Sequence, residues 1–298
     1  MADASGAKWE SNWEGWDEYV DVKAECQGRV ITVSRRNLER EDGDWVDPNL
    51  FAQDYSPAAA TGFQVWDGCW AMVQLLDGEL GTELRGKRVV ELGSGTGLAG
   101  LCAAAIGAHV LVSDVETVTD YSLRPNVKRN SSPAEAEPES TSRRAEEEAG
   151  GGEWPQSSRV GDGSCRCATI DWMVPLDAQA KAASVDLSGV EVVLAAECVW
   201  LVELVSPFVD TVLHLLQGAA SKRAVCYCCY RDRAKANSTT FVGMAAVVDA
   251  FKAAQCEIEL QQRVPADKVK GEGGRPAPEG GDMLLYSIRL LRAQPEAA

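Results

Sequence analysis

Apolar residues along this chain recur with two periods, and their order predicts an architecture. Tyr19-Val-Asp-Val-Lys-Ala-Glu25 and Arg29-Val-Ile-Thr-Val-Ser-Arg35 alternate apolar with polar positions. Such alternation marks half-buried strands, and Cys26-Gln-Gly28 between them supplies a turn, so a β-hairpin is expected. After a polar loop to about Pro57 the period changes. Val65, Cys69, Met72, Val73 and Leu76 fall at helical spacing within 63–80, a helix that Gly78 and Gly81 should end.

From Lys87 onward short apolar runs alternate with helices. Lys87-Arg-Val-Val-Glu-Leu92 reads as a buried strand, Gly93-Ser-Gly-Thr-Gly97 as a glycine turn and 98–106 as a small-residue helix. His109-Val-Leu-Val-Ser-Asp114 follows as a second strand. This β-α-β unit implies a parallel sheet. A helix is expected over 116–129, extended segments at 165–172, 190–197 and 223–230, and helices at 201–216 and 239–254. Residues 256–264 and 283–291 should pair as a final antiparallel hairpin around the glycine-proline stretch 271–281. The fold class is α/β, Rossmann-like, with a mostly parallel sheet and helices on both faces.

One stretch breaks the pattern. Residues 131–164 are rich in Ser, Pro, Glu and Gly, with Glu146-Glu-Glu148 and Gly150-Gly-Gly152. Such a composition buries too little apolar surface to offset its ordering entropy, so a disordered acidic insert is expected. The expected organisation is an N-terminal extension, 1–60, carrying the hairpin, and one domain, 61–298, interrupted by the insert.

Charge and cysteine content narrow the partners. The net charge of −16 disfavours a nucleic-acid partner and favours a basic protein surface, although part of it sits in the insert. No apolar run reaches the roughly 18–20 residues of a membrane helix, so no membrane partner is expected. The N-terminus lacks a basic segment followed by an apolar one, and several cysteines read as strand interior. A reducing compartment, cytoplasmic or nuclear, is the expectation. Cys165-Arg-Cys167 lacks the two-residue gap of common zinc pairs, and both histidines have apolar neighbours, so no metal site is expected.

The candidate chemistry centres on the glycine turn. Glycines between a strand and a helix let a ligand approach bare backbone at the helix N-terminus. Gly95-Thr-Gly-Leu-Ala-Gly100 also satisfies the dinucleotide pattern G-x-G-x-x-G. Asp114 suits either reading, because a carboxylate there can accept hydrogen bonds from two ribose hydroxyls. Glu91, two residues before Gly93, tilts the choice. An acid beside the turn suits a cationic ligand better than a pyrophosphate, and S-adenosylmethionine carries an ammonium and a sulfonium without phosphate.

Several stretches then follow in a recognisable order: Val65-Trp-Asp67, Gly86 to Leu98, Val112-Ser-Asp114, Asn126, Ile170-Asp-Trp172 and Ala195-Ala-Glu-Cys-Val-Trp200. Through them the chain resembles the class I, seven-β-strand methyltransferases that use S-adenosylmethionine. Within these it is similar to methyltransferase family 16, the non-SET protein lysine methyltransferases. The resemblance covers roughly residues 60–230. It implies a seven-stranded sheet, S-adenosyl-L-methionine as cofactor and a protein substrate methylated on a lysine nitrogen. It places Gly93, Ser94, Gly95 and Gly97 near the methionine part, Asp114 on the ribose, Trp172 along the adenine, and Ala196 and Trp66 beside the cofactor. Glu197 would orient the incoming amine, with Trp200 at its side, and Tyr230 would pack against the lysine stem. The family usually carries Asp-x-x-Tyr where this chain has Glu197-Cys-Val-Trp200, which leaves the acceptor open. A methyltransferase acting on a small molecule or another protein side chain is one alternative. A cofactor-binding, non-catalytic interaction module is another. Nothing in the sequence indicates an oligomeric state.

Overall fold

The computed structural model describes residues 19–37, 61–132, 154–220, 223–231, 238–272 and 281–291. The N-terminal alternation forms β1 (Tyr19–Cys26) and β2 (Arg29–Arg36), paired antiparallel along their whole length. Gln27 and Gly28 turn the chain with φ of 46° and 73°, the positive pair that a two-residue hairpin turn requires. The first amphipathic stretch splits into α1 (Asp67–Leu76) and α2 (Glu79–Leu84). Gly78 breaks the helix as expected, whereas Gly81 lies inside α2.

β3 (Arg88–Leu92), α3 (Leu98–Ala105) and β4 (His109–Asp114) make the β-α-β unit. Helix α4 spans 116–130, with a π-helical turn at Thr119–Leu123 leading into Arg124–Asn130. Next come β5 (Ser158–Val160), β6 (Gly163–Thr169), α5 (Leu176–Ala182) and β7 (Val192–Ala196). The chain closes with α6 (Val205–Gly218), β8 (Val225–Arg231), α7 (Met244–Ala253), β9 (Cys256–Val264) and β10 (Met283–Leu290).

The main sheet has the order β5-β6-β4-β3-β7-β8-β10-β9. The run β6-β4-β3-β7-β8 is parallel, and β10 and β9 are antiparallel. These seven are the expected sheet. β5 is a three-residue eighth strand, antiparallel on β6. The chain steps outward from β3 to β4 and β6, then reverses to β7 and β8 on the other side of β3. At such a reversal the flanking connections leave in opposite directions and open a crevice beyond the strand C-termini.

Strand residues alternate between the two faces. Val89, Val110, Val112 and Leu194 pack with α1, α3 and the hairpin; Val90, Leu92, Leu111 and Val193 pack with α6 and α7. Covered on both faces, the central strands read as continuous apolar runs. Glu91 shares the face of Val89 and therefore points beneath α3. The hairpin is not a separate unit, because Val22, Ala24, Cys26, Ile31 and Val33 join that same core.

Residues 133–153, most of the expected insert, lie outside the described residues, as do 1–18 and 38–60 of the N-terminal extension, the expected polar loop among them. The insert's C-terminal boundary at about 164 is corrected. Trp154 and Val160 are buried, and β5 lies within the supposed disordered stretch. Trp154 donates its indole N–H to the His109 carbonyl at 2.8 Å, and the Arg88 guanidinium lies 5.0 Å from its ring. The buried indole with its polar handle and the pairing of β5 on β6 together tie that end down. Among the described residues no helix is long and apolar enough to cross a membrane.

Candidate active site

The turn after β3 passes through Gly93, Gly95 and Gly97 with φ of 62°, 55° and 82°. A residue with a Cβ is strained in that region, so glycine permits the wrap. The neighbouring strand end is knotted to it. Ser94 N–H donates to the Ser113 carbonyl at 2.9 Å, and Ser113 N–H donates back to Ser94 Oγ at 3.0 Å. Asp114, ending β4, accepts from Gly95 N–H and from Val115 N–H, each at 2.8 Å. Both oxygens are thereby oriented before any ligand arrives. Burial lifts the Asp114 carboxyl to a pKa of about 6, against the lowering effect of the two backbone N–H groups.

Glu91 sits elsewhere than expected. Its side chain is buried under α3, and its Oε2 accepts from Gly100 N–H at 3.1 Å. Gly100 lies in the first turn of α3, whose N–H groups have no intrahelical partner, so the carboxylate caps the helix from below. A Cβ at Gly100 would stand 2.5 Å from that oxygen and 2.5 Å from Val112 Cγ1. The glycine therefore allows the acid to reach the backbone. Desolvation lifts Glu91 to about 7. Glu91 is not among the residues lining the cleft, and the expectation that it joins Asp114 in an acidic cofactor pocket is corrected.

The cleft opens at the reversal between β3 and β7. Trp66, Gly93, Gly95, Asp114, Trp172, Ala196, Glu197 and Trp200 all line it, although they are drawn from residues 66 to 200. Glu197 follows β7 with φ of 54°, an uncommon conformation for a residue with a side chain. Two bonds hold it there. Its N–H donates to the Cys229 carbonyl at 2.8 Å, and its Oε2 accepts from Gly68 N–H at 2.7 Å. Beside it, Arg231 Nη1 meets Asp67 Oδ2 at 2.8 Å in a buried ion pair. The first turn of α1 is thus fastened to the ends of both β7 and β8. Trp66 precedes that turn, 40% exposed at the cleft mouth, with its indole N–H on the Thr61 carbonyl at 3.1 Å. Trp172 packs on Phe208 with ring centroids 5.1 Å apart, and Trp200 stacks on Phe241 at 6.0 Å.

Three further expected residues do not reach the cleft. The Ser94 side chain is buried and donates to the Glu91 carbonyl at 3.2 Å. Gly97 caps α3 and faces Leu123. Tyr230 is buried in the α6–α7 core, where its hydroxyl donates to the Val242 carbonyl. Strand parity explains that correction, since Tyr230 shares the face of Cys226 and Cys228 while Cys229 lies on the α1 side. Residues the sequence reading missed include Asp171, Cys198 and Thr61 in the lining, and Arg231 and Asp67 behind it. Asp171 and Cys198 adjoin residues already singled out. Arg231 opens the charged run Arg231-Asp-Arg233, and the same parity that places Cys229 turns it inward.

Among the described residues lining the cleft, the charged side chains are Asp114, Asp171 and Glu197, with no lysine or arginine. Such a lining fits a nucleoside cofactor that carries positive charge and fits a pyrophosphate poorly. Sheet order, glycine wrap and cleft position together define a class I, Rossmann-like fold of the methyltransferase type.

Comparison with known proteins narrows the class. The sequence pattern of the lysine methyltransferase family matches residues 47–141 and 159–247, and this chain belongs to that family. It is 29% identical to protein N-lysine methyltransferase METTL21A of Danio rerio over 155 residues, which are 52% of this chain and 55% of that protein. Against METTL21A of Mus musculus it is 43% identical over 70 residues, 23% of this chain and 31% of the relative. EEF1A lysine methyltransferase 3 of Mus musculus is 30% identical over 81 residues, 27% of this chain and 34% of that protein. The matches thus span about half the length of the first relative and about a third of the others.

Proposed function

We propose that this chain transfers a methyl group from S-adenosylmethionine to the side-chain nitrogen of a lysine in a protein. One observation carries the reading: Asp114, Glu197 and three indoles converge on one cleft with no basic side chain among its described lining. The family match, and relatives named as protein lysine methyltransferases, support the same acceptor.

When bound, the cofactor supplies a methyl group on a sulfonium, a reactive centre that needs little activation. The protein's share is alignment. Asp114 would accept hydrogen bonds from the ribose hydroxyls, the glycine wrap would border the methionine part, Trp172 would flank the adenine and Trp66 would cover the mouth. Glu197 draws in the cationic lysine and orients it between Trp66 and Trp200. A lysine with a free pKa of about 10.4 must shed a proton before its nitrogen can attack. Indole walls favour the neutral amine and Glu197 opposes them, so the balance of the two sets the reactive fraction. Placement of the two reactants can supply most of the acceleration, and no dedicated general base is required. Ten free cysteines support action in a reducing compartment, the cytosol or nucleus.

Two measurements test this. S-adenosylhomocysteine should raise the melting temperature and NAD should not, since only a ligand that prefers the native state stabilises it. Tritium from labelled cofactor should appear in the protein fraction of a cell extract, on lysine. Stabilisation by NAD alone would sink the cofactor assignment. Label confined to small molecules would instead favour the changed acceptor suggested by Trp200 standing where the family has a phenol.

A further inference from the structure

Asn126 lies in one of the stretches that carry the family resemblance, yet it does not line the cleft. It is 2% exposed, on the part of α4 that faces the N-terminal hairpin. Its Oδ1 accepts from Ser34 N–H at 2.8 Å, and its Nδ2 donates to the Ser34 carbonyl at 3.2 Å. One turn further on, Asn130 repeats the arrangement with Thr32: Oδ1 accepts from the N–H at 3.0 Å, and Nδ2 donates to the carbonyl at 2.8 Å. The two carboxamides imitate a neighbouring strand along the outer edge of β2. The match is geometric. Four residues of helix rise about 6 Å and two residues of strand about 6.7 Å, so amides at i and i+4 meet strand residues at j and j−2. The same edge continues to Arg36, whose N–H donates to the Phe63 carbonyl at 2.9 Å.

Asn126 and Asn130 differ in the second acceptor of Nδ2: that of Asn130 is the Asn126 carbonyl, at 2.8 Å, within the helix. That of Asn126 is the carbonyl of Thr96, at 3.0 Å. Thr96 is buried between Gly95 and Gly97, in the turn that wraps the cofactor position. The segment next to Phe63 also passes close to the turn, because a Cβ added at Gly95 would lie 3.1 Å from the Gly62 carbonyl. The hairpin edge and the glycine turn are therefore held together by one buried carboxamide, beside a segment that packs close to the turn. The end of β4 holds the turn through Ser94 and Gly95, and the Thr96 carbonyl is the point at which it is gripped from the hairpin side.

We propose that Asn126 is a positioning residue for the cofactor: its carboxamide couples the edge of the N-terminal hairpin to the glycine turn, and so sets cofactor affinity from outside the cleft. The inference rests on the cofactor assignment made above. Coupling of this kind is reciprocal, so cofactor occupancy must in turn steady the hairpin edge.

The full chain and S-adenosylhomocysteine provide the test, by titration calorimetry and thermal melting of three proteins. Asn126→Asp keeps the shape but replaces both N–H donors with a carboxylate facing the Thr96 and Ser34 carbonyls. Its affinity should fall by about tenfold or more, the usual cost of leaving a buried acceptor without its donor. Asn130→Ala removes the equivalent hairpin bonds without touching the glycine turn. It should lower the melting temperature while leaving affinity within about twofold. Unchanged affinity in Asn126→Asp, or an equal loss in Asn130→Ala, would overturn the coupling. Should Asn126→Asp fail to fold, hydrogen exchange on the unmodified protein decides. S-adenosylhomocysteine should slow exchange at the Thr32 and Ser34 amides more than along β9, and equal slowing at both overturns the proposal. Absence of any binding by the unmodified protein would defeat the cofactor assignment itself, a result distinct from binding that ignores Asn126.

Discussion

Two acids flank the glycine turn, and their surroundings give them different work. Asp114 faces the cleft, and its proposed hold on two ribose hydroxyls calls for the ionised form, while burial raises it to about 6. Affinity for S-adenosylhomocysteine should therefore strengthen as pH rises through about 6 and level off above; a flat profile from pH 5 to 7 would contradict the assignment. Glu91 is raised to about 7 by desolvation beneath α3. For both acids the folded state holds more protons than the unfolded chain across the interval between the unfolded and folded values. Their contribution to stability is complete below pH about 4 and is lost as pH rises through about 7. Glu91→Gln keeps an acceptor for Gly100 N–H but cannot ionise. Denaturant titrations from pH 5 to 8 should show the variant losing less stability than the wild type, by on the order of 2–3 kcal/mol. Identical slopes would show that Glu91 stays charged in the fold. The sequence exposed both acids plainly; only their opposite settings were hidden, because neither residue's neighbours in the chain are its neighbours in space.

Element boundaries moved where tertiary contacts outweighed local composition. The helix expected at 239–254 begins only at Met244, because Phe241 bridges to Leu201 and the backbone of 200–202 bonds across to 240–242. That pairing also delays α6 to Val205 and sets Trp200 on Phe241 at the cleft. The insert was shortened from the other direction. Trp154 anchors its return at the start of β3 and β4, through Arg88 and His109, at the end of the sheet opposite the cleft. Trp154→Ala should destabilise the fold by about 3–5 kcal/mol in denaturant titrations, the range for deleting a buried tryptophan. Replacing 133–153 by a short Gly-Ser linker should cost less than 1 kcal/mol and leave S-adenosylhomocysteine affinity unchanged. Weaker binding after that replacement would place the insert's influence at the cleft.

At the scale of the whole molecule, the reversal of strand order between β3 and β7 creates the site. It brings residues separated by more than a hundred positions to one crevice, with Gly93 leaving β3 and Glu197 leaving β7. The acidic balance of the chain acts at the same scale. The cleft has its own carboxylates and no basic lining among the described residues, so its attraction for a cationic ligand does not depend on the insert's charge.

The sequence alone determined the order of the main elements, the two periods and the glycine wrap, because these are set by short-range rules: side-chain alternation, helical spacing and the backbone freedom of glycine. Only the tertiary structure decided which acid faces the ligand and which caps a helix. It also decided that Tyr230 turns into the core, and that Glu197 rests on Gly68, Arg231 on Asp67 and Asn126 on Thr96. The physical reason is that a polar side chain takes its role from the donor or charge packed against it. In this fold that partner arrives from a distant part of the chain.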